Sequence, residues 1–303
     1  MSQFPAKVIA SKLDFGLELL PPQSEWFERN LGNLELLRKY FSTLWVCDHF
    51  QWDGSAPWYE GWTTLSYLAG KFPTFEFGNL VLCVSYRNPA LVARMASTFQ
   101  YLTGGKLILG LGAGWYKEEY DSYGYEFPRT YGERLDRLGK ACQIIKTMWS
   151  ESPASFQGKY YHIKDAYCEP KPKDRIPLLI GVGNNYRALR VVAKYADMYN
   201  DAARVNVIRP ARERLDSICS EMGRDPKEIK ITCLATPKFT SDANDFKAQQ
   251  EKSGNSLLGP DVDSVVQELR QLADLGVMHI QVRCTDEKSL STFCEEVIPS
   301  FRD

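Results

Sequence analysis

Metal ligands are scarce in this chain. It has only three histidines, at 49, 162 and 279. None falls into an H-E-x-x-H or two-His-one-carboxylate spacing, so no metal site is expected. Its eight cysteines (47, 83, 142, 168, 219, 233, 284 and 294) never lie closer than ten positions apart. No C-x-x-C pair therefore exists for redox work or zinc. Several sit in apolar runs (WVCDH, NLVLCV, ITCLATP), where a cysteine packs as a small hydrophobe. Nothing approaches the roughly 18 consecutive apolar residues of a membrane span. The opening MSQFPAKVIA shows no basic stretch leading into a long apolar core, and a cytoplasmic protein is expected. Net charge is missing as well: 37 Lys+Arg against 38 Asp+Glu leave −1. No global field draws the chain to nucleic acid or an anionic membrane, so neither is an expected partner and an anionic ligand must be gripped locally.

What is present is an alternation of apolar runs and helical patterns. With 44% hydrophobic and 25% charged residues the 303-residue chain has an ordinary globular composition. A single α/β barrel takes about 250 residues, which leaves roughly 50 for insertions. The strand candidates are 12–19, 43–48, 75–84, 106–112, 177–183, 197–201, 229–235 and 276–283, short and nearly continuous in apolar residues. Parallel strands covered on both faces look like this. Helices are expected between them: 24–40 with Leu31, Leu34 and Leu37 at helical spacing, and 88–102 with Pro89 at its first position. A third follows Thr130, whose spacing to Glu133 makes a capping box, and the last two span 261–275 and 287–301. Eight strand–helix pairs in one order predict a (β/α)8 TIM barrel, one domain over 1–303, with a doubly wound sheet as the alternative. Two stretches, 115–129 after strand four and 155–174 between helix four and strand five, fit no barrel element and are expected as excursions, the second as a hairpin.

Function in a barrel gathers at the carboxyl ends of the strands. That rule selects Asp48 and His49 after strand two, a carboxylate and an imidazole able to position a ligand or exchange protons near neutral pH. The competing reading makes Asp48 a cap and His49 a packing residue. Gly110, Gly112 and Gly114 end strand four, and Gly181 and Gly183 end strand five. Neither set completes G-x-G-x-x-G, because Lys117 and Tyr186 hold the third glycine's place, which disfavours a Rossmann site. Residues 181–184 run directly into a helix whose amino end offers N–H groups to a phosphate, although small residues at crowded strand ends are the steric alternative. Trp52, Trp58, Tyr59, Trp62, Tyr86, Trp115 and Tyr116 cluster at loop positions. They either wall a pocket for a planar ring or are scattered surface aromatics. Taken together, the residues suggest a barrel for a planar, phosphate-bearing ligand.

At these same strand ends the chain resembles the luciferase-like monooxygenase superfamily, and within it the branch of coenzyme F420-dependent oxidoreductases. The matching stretches are LWVCDHF (44–50), YEGWTTLSYLAG (59–70), YRNPALVARMASTF (86–99) and, longest of all, GGKLILGLGAGWYKEEYDSYGYEFP (104–128). GERLDRL (132–138), QGKYYHIKDA (157–166), PLLIGVGN (177–184) and ALRVVAKYADMYN (188–200) continue it. The resemblance implies a barrel that binds coenzyme F420, a deazaflavin, or alternatively FMN, at its carboxyl face. It implies a non-proline cis peptide near Leu80-Val81 behind the ring, and Asp48 and His49 beside the ring's reactive edge as the catalytic residues. Cys83, Gly112, Ala113, Gly114 and Trp115 would line the ring or its tail, and Gly181, Val182, Gly183 and Asn184 would meet the phosphate. The implied activity is hydride transfer to or from a small organic substrate by a homodimeric oxidoreductase. An FMN monooxygenase and a non-catalytic flavin-binding protein are the alternatives. One departure stands out: sugar-phosphate dehydrogenases of the superfamily carry a catalytic glutamate where this chain has Trp115, which puts sugar-phosphate oxidation by that mechanism in doubt.

Overall fold

Nearly continuous apolar strands need cover on both faces, and here a closed ring supplies it. The computed structural model describes residues 13–20, 25–52, 56–253 and 256–302. Eight strands, β1 (Asp14–Leu19), β2 (Thr43–Val46), β3 (Glu76–Asn79), β4 (Leu107–Gly112), β5 (Leu178–Gly181), β6 (Met198–Ala202), β7 (Lys230–Pro237) and β8 (Val277–Val282), pair in parallel in chain order. β8 returns to β1, and β4 meets β5 with Gly181 opposite Gly112. Helices α1 (Glu25–Leu37), α2 (Gly61–Lys71), α3 (Pro89–Thr103), α4 (Tyr131–Ser150), α5 (Tyr186–Tyr195), α6 (Val205–Glu221), α7 (Val262–Asp274) and α8 (Glu287–Thr292) follow the strands in turn. This is the expected (β/α)8 barrel, and the doubly wound alternative falls.

Successive strand residues point to opposite faces, which sorts two cores. Leu44, Val46, Phe77, Leu107 and Leu109 join the large cluster between sheet and helices, whereas Trp45, Leu80, Leu179 and Met198 form a small one apart from it. Trp45 fits because its neighbours are glycines. A Cβ on Gly16 would lie 2.5 Å from the indole Nε1, and one on Gly78 would strike the indole ring. Local chemistry bounds the helices, with Pro89 and Thr130 in the places expected for them. The Asn88 side chain accepts from Ala90 N with Pro89 next to it, Gly104 closes α3 in the left-handed region at φ 68°, and the Thr130 hydroxyl accepts from Glu133 N.

Strand 75–84 does not run through. It stops at Asn79, resumes as Leu82–Cys83, and holds the cis peptide bond Leu80-Val81 between the two pieces. The excursion after β4 carries a short helix, Lys117–Ser122, and the one after α4 is an antiparallel hairpin of Ala154–Gln157 with His162–Ala166. Two further excursions correct the expectation of two. After β2, Gln51–Trp52 pairs with Ala56–Pro57; after β7, helix Ala243–Ser253 precedes Leu257–Leu258, which pairs with the end of β7. Two-residue strands carry no period, and ANDFKAQQEKS is too polar to show an apolar stripe.

Candidate active site

The carboxyl ends of the strands open into a cavity of about 930 Å³, at the upper end of the about 300–1,000 Å³ usual for small-molecule sites. Leu80, Val81 and Leu234 give it apolar lining, together with Cys83 and Gly112. The glycines explain how Val81 fits. A Cβ on Gly112 would lie 2.5 Å from Val81 Cγ2, and one on Gly181 would lie 3.0 Å from Val81 Cγ1. The steric reading of both glycines is therefore satisfied by Val81. Gly114 adopts φ +74° with Cys83 Sγ and the Tyr120 hydroxyl packed where a side chain would go.

Asp48 leaves β2 into a buried ionic network. Its two oxygens accept from Arg87 Nη1 and Nη2, both at 2.8 Å, and Oδ2 also accepts from Cys83 N at 2.9 Å. Burial raises its carboxyl above the usual carboxylate range, with Arg87 and the Cys83 N–H pulling against it. For Arg87, burial opposes the charge, but Asp48 and Glu60 outweigh it and raise the pKa. Glu60 closes the network: it pairs with Arg87 and accepts from Trp62 N and Thr63 N at the start of α2. Asp48 thus ties the end of β2 to the start of two helices.

His49 faces a different carboxylate. Glu119, fully buried on the short helix after β4, receives His49 Nδ1 at 3.1 Å, Phe50 N at 2.6 Å, Gln51 N at 3.1 Å and the Tyr86 hydroxyl at 2.8 Å. Burial alone would raise this carboxyl; the His49 imidazole, the Gln51 N–H and the Tyr86 hydroxyl overcome it and hold the pKa below the usual range. With Nδ1 committed to Glu119, proton exchange by His49 would run through Nε2. Three rings stand edge-on to the imidazole: Trp58 and Trp115 with centroids at 5.8 Å, and Tyr116 at 6.1 Å. Across the cavity Arg283, at the end of β8, donates from Nε and Nη2 to the buried Glu18 carboxylate, both at 2.7 Å.

Of the residues expected at the site, Asp48, His49, Leu80, Val81, Cys83, Gly112, Gly114 and Trp115 line this one cavity. Ala113 and Val182 do not. They directly follow β4 and β5 and pack in the core between sheet and helices. Gly181, Gly183 and Asn184 also lie off the cavity lining: Gly181 backs Val81, a Cβ on Gly183 would meet nothing within 4 Å, and the Asn184 carbonyl accepts from Arg214. Just beyond, the Asn185 side chain accepts from Ala188 N and caps α5. The side chain of Trp52 lies outside the described residues. No sequence signal assigns a role to Glu18, and Glu119, one helical turn past Trp115, is not assigned the place of the missing catalytic glutamate. A carboxylate one helical turn into an excursion, or inside a strand, has no spacing to reveal its partner. Among the described residues no cluster of three or more His, Cys, Asp or Glu is placed to hold a metal.

Comparison with known proteins agrees with this geometry. The chain is 26% identical to an F420-dependent glucose-6-phosphate dehydrogenase of Amycolatopsis mediterranei over 86% of this chain and 90% of that one. It is 32% identical to the pyrimidine monooxygenase RutA of Stutzerimonas stutzeri, over 55% of this chain and 47% of that one. In fold it is similar to an F420-dependent secondary alcohol dehydrogenase solved with an F420–acetone adduct (TM-score 0.83, 20% identity, 96% and 100% of the two chains). The luciferase-like monooxygenase family model matches residues 39–276, and the protein belongs to that family.

Proposed function

We propose that the protein is an oxidoreductase that uses coenzyme F420 to exchange a hydride with a small organic substrate at the carboxyl end of the barrel. The observation that carries this reading is the pairing of a flat apolar seat (Leu80, Val81, Gly112 and Leu234) with an imidazole oriented by a buried carboxylate, in one cavity. Relatives that carry F420 in their names support the choice of coenzyme.

The residues present fit such a group. The Val81 projection and the glycines beside it leave an apolar surface without side chains in the way of a planar ring. The backbone around Gly183, at the entry to α5, has room and a helix amino end for a phosphate-bearing tail. Bound there, a deazaflavin supplies the hydride acceptor or donor. The chain's own residues supply the rest. His49 Nε2 takes or returns the proton on the substrate oxygen, and Glu119 holds the ring in the tautomer that can do so. Asp48, locked by Arg87, fixes the backbone from which His49 projects. It acts by position, not by proton transfer.

A second reading, an FMN-dependent monooxygenase, is favoured by the pyrimidine monooxygenase match. Titrating the purified protein with F420 and FMN, each oxidised and reduced, decides between them. F420 binding with substrate-linked coenzyme reduction is expected; tight FMN binding with substrate-dependent oxygen uptake would reverse the ranking. We also propose a cytoplasmic homodimer. The outer cleft between α2 and α3, lined by Trp62, Leu91, Met95, Phe99 and Leu102, supplies the apolar face for a second copy, and no described helix is long and apolar enough to cross a membrane.

A further inference from the structure

We propose that the amino-terminal face of the barrel, where the strands begin, carries a second site that binds a small phosphate-bearing anion. The proposal does not depend on the coenzyme reading above.

The chain as a whole carries −1, yet positive charge gathers in one cleft of about 430 Å³, inside the about 300–1,000 Å³ usual for small-molecule sites. Arg38 and Lys39, just past the end of α1, and Arg302, after α8, line it. Asp14 is the one carboxylate among its described lining residues, so three cations against one anion leave the lining at +2. Asp14 has partners of its own: Oδ2 accepts from Ser42 Oγ at 2.6 Å and from His279 Nδ1 at 2.9 Å. Burial pushes its carboxyl up, and His279 and Ser42 outweigh burial and hold it ionised, below the usual range.

Among the described residues none of the three cations meets a carboxylate within ion-pair distance. Arg38 Nε donates to the Thr74 carbonyl at 3.1 Å, with the guanidinium over the Phe75 ring at 5.4 Å. Its two terminal nitrogens are left for a ligand. Arg302 uses Nη2 on the Tyr40 carbonyl at 2.7 Å. Lys39 Nζ and the Arg302 guanidinium lie 4.7 and 5.6 Å from the centre of one ring, that of Tyr40. Two like charges around one ring repel, and an anion between them removes the repulsion. The arginine forks match pairs of phosphate oxygens, and the lysine adds a point charge. A dianion gains from all three, which favours phosphate over a singly charged guest. The cleft is separate from the active site and shares no lining residue with it. Asp14 opens β1, and Glu18, which holds Arg283 of the active-site cavity, lies four residues on, about 13 Å along the strand.

The test titrates the purified full chain with sodium pyrophosphate by calorimetry at constant pH and ionic strength. Saturable binding with a Kd below about 1 mM is expected, weakening as sodium chloride is raised. Lys39→Gln combined with Arg302→Gln removes two of the three cations at exposed positions. This double variant should raise the Kd about tenfold or more and keep the far-ultraviolet circular dichroism of the wild type. Arg38→Gln should weaken binding as well, whereas Lys39→Arg, which keeps the charge, should bind as the wild type does. Absence of saturable binding overturns the proposal and leaves the cations beside α1 to serve the carbonyl end of that helix. Binding that survives undiminished in the double variant overturns it too, because the anion then sits elsewhere, such as at the start of α5. Equal weakening by Lys39→Arg would show a loss of local structure and not of charge, and would count against the site.

Discussion

Glu119 concentrates four donors on one buried carboxylate: the imidazole and two amides of the consecutive residues His49, Phe50 and Gln51, and the Tyr86 hydroxyl. Replacing it with Gln keeps the size but removes the charge and turns one acceptor into a donor. We expect Glu119→Gln to lower kcat about 100-fold with KM little changed, the scale of losing an oriented base. The acidic limb of the pH–rate profile, which an essential base sets, should shift as well, which loss of packing alone would not produce. The same carboxyl contributes to acid stability. Its folded pKa lies below the unfolded value of about 4.3, so its stabilisation is fully present above that pH and is lost as pH falls through the folded value. Thermal melts between pH 6 and pH 3 should therefore fall less steeply in Glu119→Gln than in the wild type. Asp48 makes the opposite case. Asp48→Ala leaves Arg87 buried with only Glu60 as a counter-charge and should cost about 3 kcal/mol, measurable by denaturant unfolding. An unchanged midpoint would show that the network is not structural.

At the scale of elements, the glycines ending β4 and β5 separate packing from binding. Gly112→Ala would drive a methyl into Val81 and shift the surface on which the coenzyme ring is expected to lie. Coenzyme affinity should fall by tenfold or more, about 1.4 kcal/mol, and the melting temperature should fall too. Gly183→Ala adds a methyl in open space; it should leave the melting temperature unchanged and weaken the coenzyme only if its phosphate meets that backbone. Equal effects of the two variants on stability would contradict the steric assignment. Most of the eight strands could be read in the sequence because they are apolar runs bounded by turn residues, and the cap at Thr130 follows from its spacing to Glu133. The helix Ala243–Ser253 could not be read, since its polar sequence shows no apolar stripe. Within the site, Asp48 and His49 follow from their place at a strand end. Their partners Arg87 and Glu119 lie 39 and 70 positions away, and only closure of the barrel brings them together. Ala113 and Val182 belong to the same motifs yet turn their side chains into the core, because a motif names a stretch and not the direction of each side chain in it.

At the scale of the molecule, α2 and α3 connect the active site to the outer surface. α2 is capped by Glu60 and α3 by Asn88, the residue after Arg87, so both helices start from the network around Asp48. Their outward faces leave a cleft of about 710 Å³, and beside it Leu91 and Leu102 are 54% and 77% exposed. Exposed leucines grouped on one face indicate a partner surface, and a two-fold dimer presents the same patch from each subunit. A net charge of −1 puts little self-repulsion in the way of such pairing. Light scattering on the eluting peak should give about twice 34.6 kDa. Leu91→Glu combined with Leu102→Glu places two charges per subunit in the seam and should yield monomers. Because the loosened helices are those that Glu60 and Asn88 cap, the monomeric variant should also bind the coenzyme more weakly, although neither leucine lines the active-site cavity. A wild-type protein that elutes as a monomer would remove the dimer. A monomeric variant with unchanged coenzyme affinity would keep the dimer and remove its link to the site.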